Sequence, residues 1–129
     1  MKNINITADP VEGIFLIKSY GPGRLNIGDQ TFNTPIMISP THLSFWDEGK
    51  TDFTFEILQS CLNLISCECE LMLIGFGSKM RPIPQKWHDL IHSQSVPVDF
   101  MATPSAIHAY NITVGDGRLT TAFLIPPDA

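Results

Sequence analysis

Basic charge is scarce in this chain: eight lysines and arginines stand against thirteen aspartates and glutamates, a net of −5 at pH 7. That field repels polyanions, and no Lys/Arg stripe offsets it, so no nucleic-acid partner is expected. Charge of either sign is thin, at 16% of residues. A surface so poor in charge leaves apolar area exposed, which favours self-association, most simply as a homodimer. Cysteine is scarce too. Cys61, Cys67 and Cys69 are an odd number crowded into one short stretch. They cannot build a disulfide framework, so free thiols in a reducing compartment are expected. No apolar run approaches the ~20 residues that a membrane helix needs, so no membrane insertion is expected. Met1–Ile6 has no long apolar core, no small-residue cleavage site and no arginine. Neither a secretory signal nor a mitochondrial presequence is expected, and the cytoplasm is the expected location.

What the chain has in quantity is apolar residues, 43% of 129. That suffices for one domain, residues 1–129, with a single core. The strongest signal is Leu71–Gly77, L-M-L-I-G-F-G, an apolar run closed by two glycines. It predicts a strand buried on both faces. Upstream, Ile4 and Ile6 alternate with polar residues, Ile14–Ile17 is wholly apolar, Arg24–Ile27 alternates, and Thr34–Ser39 stops at Pro40. With turns at Tyr20-Gly21-Pro22-Gly23 and Gly28-Asp29, these predict an antiparallel meander.

His42–Asp52 reads as a loop, with Asp52 as N-cap of a helix whose apolar face is Phe55, Leu58, Cys61, Leu62 and Ile65. Pro84 opens a second helix carrying Trp87, Leu90 and Ile91. Val96–Met101 predicts a strand, and Thr103-Pro104 starts a short third helix with Ala106, Ile107 and Tyr110. Gly115-Asp116-Gly117 predicts a closing hairpin between Tyr110–Val114 and Arg118–Ile125. The implied class is α/β: a mixed sheet with helices on its face, extra strands opposite, and an N-terminal antiparallel meander.

In that arrangement the turns after Ile74 and Phe100 share one end of neighbouring parallel strands, where open sheets usually bind ligands. The candidate ligand-binding residues are Gly75, Gly77, Lys79, Arg81, Thr103, Ser105 and Tyr110. Backbone N–H groups with Lys79 and Arg81 would suit a small carboxylate or phosphate, and Thr103 and Ser105 would add hydroxyl donors. Tyr110 or His108 would then move a proton. The glycines do not make a nucleotide loop. Lys79 precedes Met80 instead of Ser or Thr, and Met80 also stands where a dinucleotide fingerprint needs its third glycine. Cys61, Cys67, Cys69, His88 and His92 hold enough ligand atoms for zinc, but they come from different elements and lack C-x₂-C spacing. Ser105 and His108 are helical neighbours with no nearby acid to orient the histidine. Asp47, Glu48 and Asp52 sit in or beside a loop and do not form an acid–base pair. No cofactor, metal or catalytic set is implied.

Several short motifs follow one another in a specific order: Ser19-Tyr20-Gly21-Pro22-Gly23 with Leu25 and Ile27, Leu73–Gly77, and Arg81-Pro82-Ile83-Pro84. Met101-Ala102-Thr103, Ala106, Tyr110-Asn111 and the Ala122–Pro126 ending complete the series. In this succession the chain resembles a family of small bacterial and archaeal domains of unknown function, the Mth938-like branch. The eukaryotic relative of that family is a mitochondrial assembly factor for respiratory complex I. Two positions depart from the family pattern: Phe76 stands where a small residue is usual, and Arg24 where a second glycine follows the Gly-Pro-Gly turn. A bulky Phe76 would narrow the crevice. The resemblance implies a three-layer β/β-α/α arrangement around a central mixed sheet, and it implies no known catalytic residues. For the mitochondrial relatives it implies protein–protein contact during assembly. The expectation is therefore a non-catalytic protein-interaction or assembly-factor-like domain with a protein partner. The alternative is a small anionic-ligand binder or enzyme using the crevice of Gly75–Arg81 and Thr103–Tyr110.

Overall fold

The computed structural model describes residues 4–6, 15–46, 54–65 and 68–127. Among these, the strands in chain order are β1 (Ile4–Ile6), β2 (Ser19–Gly21), β3 (Arg24–Ile27), β4 (Gln30–Phe32), β5 (Ile36–Ile38) and β6 (Leu43–Trp46). Then follow α1 (Phe55–Leu64), β7 (Leu71–Gly75), α2 (Gln85–His92), β8 (Val98–Met101), α3 (Thr103–Gly115) and β9 (Thr120–Leu124). Six strands form the central sheet in the order β1-β6-β5-β9-β7-β8. β7 runs parallel to both of its neighbours, and the remaining pairs are antiparallel, so the sheet is mixed.

Burial on both faces explains the unbroken apolar run at its centre. Leu73, Ala122, Leu124, Ile36 and Ile38 pack against α3 and the small sheet β2-β3-β4. Their alternates Met72, Ile74, Phe123 and Met37 pack against α1 and α2. The result is three layers, with the central sheet between two helices on one side and a helix plus meander on the other. The predicted sandwiched strand and meander are both present.

Three expectations are corrected. Tyr110–Val114 is not a strand but the second half of α3, where Ala106, Ile107, Tyr110 and Val114 keep one helical stripe buried. Its β-branched residues misled local propensity, which packing overrides. Gly115-Asp116-Gly117 accordingly ends a helix instead of turning a hairpin. Gly117 N–H bonds the Val114 carbonyl and Arg118 N–H bonds the Thr113 carbonyl, both at 3.0 Å. With Gly117 at φ 90°, that is a Schellman ending. β9 is then a single closing strand.

Second, Phe15–Ile17 makes no strand ladder, and Ile14 lies outside the described residues. The side chain of Asn111 takes the place of a neighbouring strand. Its Oδ1 accepts from Ile17 N–H at 3.0 Å and its Nδ2 donates to the Ile17 carbonyl at 2.9 Å. Third, the loop read over His42–Asp52 begins with strand β6, and Thr54 caps α1 by accepting from Ile57 N–H at 3.2 Å. Asp47, Glu48 and Asp52 lie outside the described residues.

Candidate functional site

Where β7 ends, the chain must leave the sheet and start toward α2, and the two glycines make that exit. The register places Gly75 beside Met101 of β8 and Leu124 of β9, so the ends of three parallel strands meet there. A Cβ on Gly75 would lie 2.9 Å from Thr103 Oγ1 and 3.0 Å from Thr103 Cα, which leaves room only for glycine. Gly77 adopts φ 104°, a left-handed conformation open to glycine.

Thr103, fully buried at the start of α3, sews these ends together. Its hydroxyl accepts from Gly77 N–H at 2.7 Å and donates to the Ile125 carbonyl at 2.6 Å. Its own N–H donates to the Gly77 carbonyl at 2.7 Å, and Ile125 N–H returns a bond to Gly75 at 3.1 Å. Helix ends attract anions through unbonded N–H groups. Here Thr103 N–H is engaged, Pro104 has none, and Ala106 N–H bonds the Ala102 carbonyl. These groups are not available to a small anion, which does not favour the anion-binding alternative.

Outside this seam lie Phe76 and the basic loop that follows it. Phe76 turns to the α2 side instead of narrowing the space around Thr103. It stacks on Phe100 at 5.5 Å and 6° and meets Trp87 at 6.4 Å. The Arg81 guanidinium sits 4.9 Å from the Phe76 ring centre, a cation–π contact. Lys79, Met80 and Arg81 are exposed on the loop toward α2, and Ser105 and His108 are exposed on α3.

Tyr110 belongs to neither group. It is fully buried beside Leu73, and its hydroxyl donates to the Phe15 carbonyl at 2.9 Å. Burial pushes its phenol well above the ordinary range, which keeps the group neutral. Of the seven candidate positions, then, Gly75, Gly77 and Thr103 come together, Lys79, Arg81 and Ser105 lie at the surface, and Tyr110 serves the core.

Cys61 is fully buried against α1's apolar partners, and burial raises its thiol far above the usual range. Cys69 Sγ donates to the Leu71 carbonyl at 3.2 Å, and Cys67 lies outside the described residues. Among the described residues, no group of three His, Cys, Asp or Glu side chains is placed to hold a metal ion. Sequence reasoning gave no weight to a cavity of about 600 Å³ at the opposite end of the sheet. The signal for it was available: Ser39, Ser44 and Thr121 stand on or beside central strands where apolar residues are usual.

These layers and the seam at Thr103 define a small α/β domain whose fold is already known from solved structures. A Bordetella pertussis protein described as a Mth938-like domain superimposes with a TM-score of 0.74, covering 97% of this chain and 94% of that one at 21% identity. The chain belongs to the family described as Protein of unknown function (DUF498/DUF598), which it matches over residues 17–125. A Francisella tularensis protein named 13 kDa major membrane protein is 30% identical over 125 residues, 95% of this chain and 99% of its own length. A Danio rerio protein named NADH dehydrogenase (ubiquinone) 1 alpha subcomplex assembly factor 3 is 28% identical over 115 residues. That match takes in 88% of this chain and 66% of the factor, so the chain spans about two thirds of that relative's length. Among the described residues, no helix is long and apolar enough to cross a membrane.

Proposed function

We propose that this protein is a non-catalytic protein-binding domain of the assembly-factor type, working in the cytoplasm. Its docking surface is the sheet end formed by Gly75–Arg81 and the exposed side of Thr103–Tyr110. One observation carries the reading: Gly75, Gly77, Thr103 and Ile125 bond one another at that end, while Lys79, Met80 and Arg81 are exposed beside them. A seam of engaged donors suits catalysis poorly, whereas two cations flanking an exposed methionine suit an acidic, partly apolar protein surface. Similarity to assembly factors agrees with a protein partner. Exposed Leu16, Tyr20, Leu64, Ile112 and Leu119 make a homodimer part of the same reading.

Charge reversal tests it. Affinity capture from native extract should recover a partner with the wild-type chain and lose it with Lys79→Glu/Arg81→Glu, in a variant that circular dichroism shows to be folded. Equal recovery by both proteins would remove the docking role from this surface.

A further inference from the structure

The cavity of about 600 Å³ lies at the far end of the sheet from Gly75, where β5 passes into β6 and α1 stops at Leu64. α1 and α2 pack on Met72, Ile74, Phe123 and Met37, and beyond them the sheet carries the small side chains of Ser44 and Thr121. Met37 and Ser44 face each other across β5 and β6, and Thr121 lies two residues before Phe123 on the same face of β9. Directly opposed and i, i+2 positions share one sheet face, so these three line one floor. Leu64, Glu68 and His42 also line the cavity. The volume lies within the roughly 300–1,000 Å³ usual for small-molecule sites.

Two details say what would fill it. Thr121 is only 8% exposed, and its hydroxyl has no hydrogen-bond partner among the described residues. The neighbouring Thr120 shows the contrast, since its hydroxyl meets Thr113 Oγ1 at 2.8 Å. A buried hydroxyl without a partner is disfavoured unless something in the cavity bonds it. The second detail is charge: among the described lining residues there is no lysine or arginine, and Glu68 is acidic.

We infer that this cavity binds a small uncharged molecule with an apolar body and one hydrogen-bonding head. The head meets the hydroxyls of Thr121 and Ser44, and the body lies against Met37 and Leu64. Among the described lining residues no lysine or arginine is present to hold an anion. The site is separate from the proposed docking surface and stands whether or not that surface binds a protein.

The uncharged fluorophore N-phenyl-1-naphthylamine tests this, with the anionic 8-anilino-1-naphthalenesulfonate as its counterpart. Saturable one-to-one binding of the uncharged probe is expected, with the anionic probe at least tenfold weaker. Ser44→Leu, which fills the floor, should weaken the uncharged probe at least tenfold, and Thr121→Val about threefold. Amide shifts of the wild-type protein on adding the probe supply a readout that no variant's folding affects, and they should centre on residues 37–44, on Leu64, Ile65, Glu68 and Cys69, and on 119–121. Absence of saturation, unchanged affinity in a folded Ser44→Leu protein, tighter binding of the anion, or shifts centred on Lys79–Arg81 would each overturn the assignment.

Discussion

Thr103 shows how one hydroxyl can decide what a site is able to do. Both of its hydrogen-bonding roles are taken, one by Gly77 N–H and one by the Ile125 carbonyl. Thr103→Val keeps the shape and removes both bonds, and each buried group left unpaired costs about 1–3 kcal/mol. Urea denaturation should show that loss for Thr103→Val and a far smaller one for Thr103→Ser; equal stability of the two variants would contradict the stapling role. Gly75→Ala should also destabilise, by about 1–3 kcal/mol, because the new methyl meets Thr103 backbone and cannot be relieved by a side-chain turn. The importance of these positions was legible in the sequence, since a Gly pair after a buried strand and a Thr-Pro helix start both mark strand ends. Their role was not legible. Which carbonyl lies above Thr103 depends on β9, which enters from the far end of the chain. The partner of Tyr110 was hidden for the same reason, because Phe15 lies 95 residues away.

At the scale of elements, β7 was the clearest reading and the end of α3 the least clear. A strand covered on both faces writes its burial into four successive side chains, so no other segment of the chain is needed to recognise it. The Asn111-Ile112-Thr113-Val114 segment reads as strand by local preference, and only the stripe of Ala106, Ile107, Tyr110 and Val114 makes it helix. Gly-Asp-Gly serves both a hairpin and a helix ending, and the packing of α3 on β7 and β9 decides between them. The Schellman ending makes opposite forecasts for two nearby glycines. Gly117→Ala should destabilise by about 1–2 kcal/mol, because φ 90° is strained for alanine although nothing crowds its Cβ. Gly115 is helical without positive φ and equally uncrowded, so Gly115→Ala should stabilise by about 0.4–1 kcal/mol. Thermal unfolding of the two variants checks the sign of each; the same sign for both would contradict the helix ending.

Across the whole molecule, the two ends of the central sheet differ in character. At one end β7, β8 and β9 are sewn shut by Thr103, and cations and a methionine are displayed outside that seam. At the other, α1 stops at Leu64 and a cavity floored by Ser44 and Thr121 remains beside it. Composition pointed to the first end, through the only dense basic stretch in an acidic chain, Lys79-Met80-Arg81. It could not point to the second, because a void is made by the lengths of elements meeting in space. The protein-binding role rests on the closed end, and hydrogen exchange on the chain with its captured partner bound tests that role most directly. Slowed exchange at Ser78–Arg81 and along Ser105–Ala109 is expected on binding. Protection confined to β2-β3-β4, or none at all with the partner bound, would contradict it.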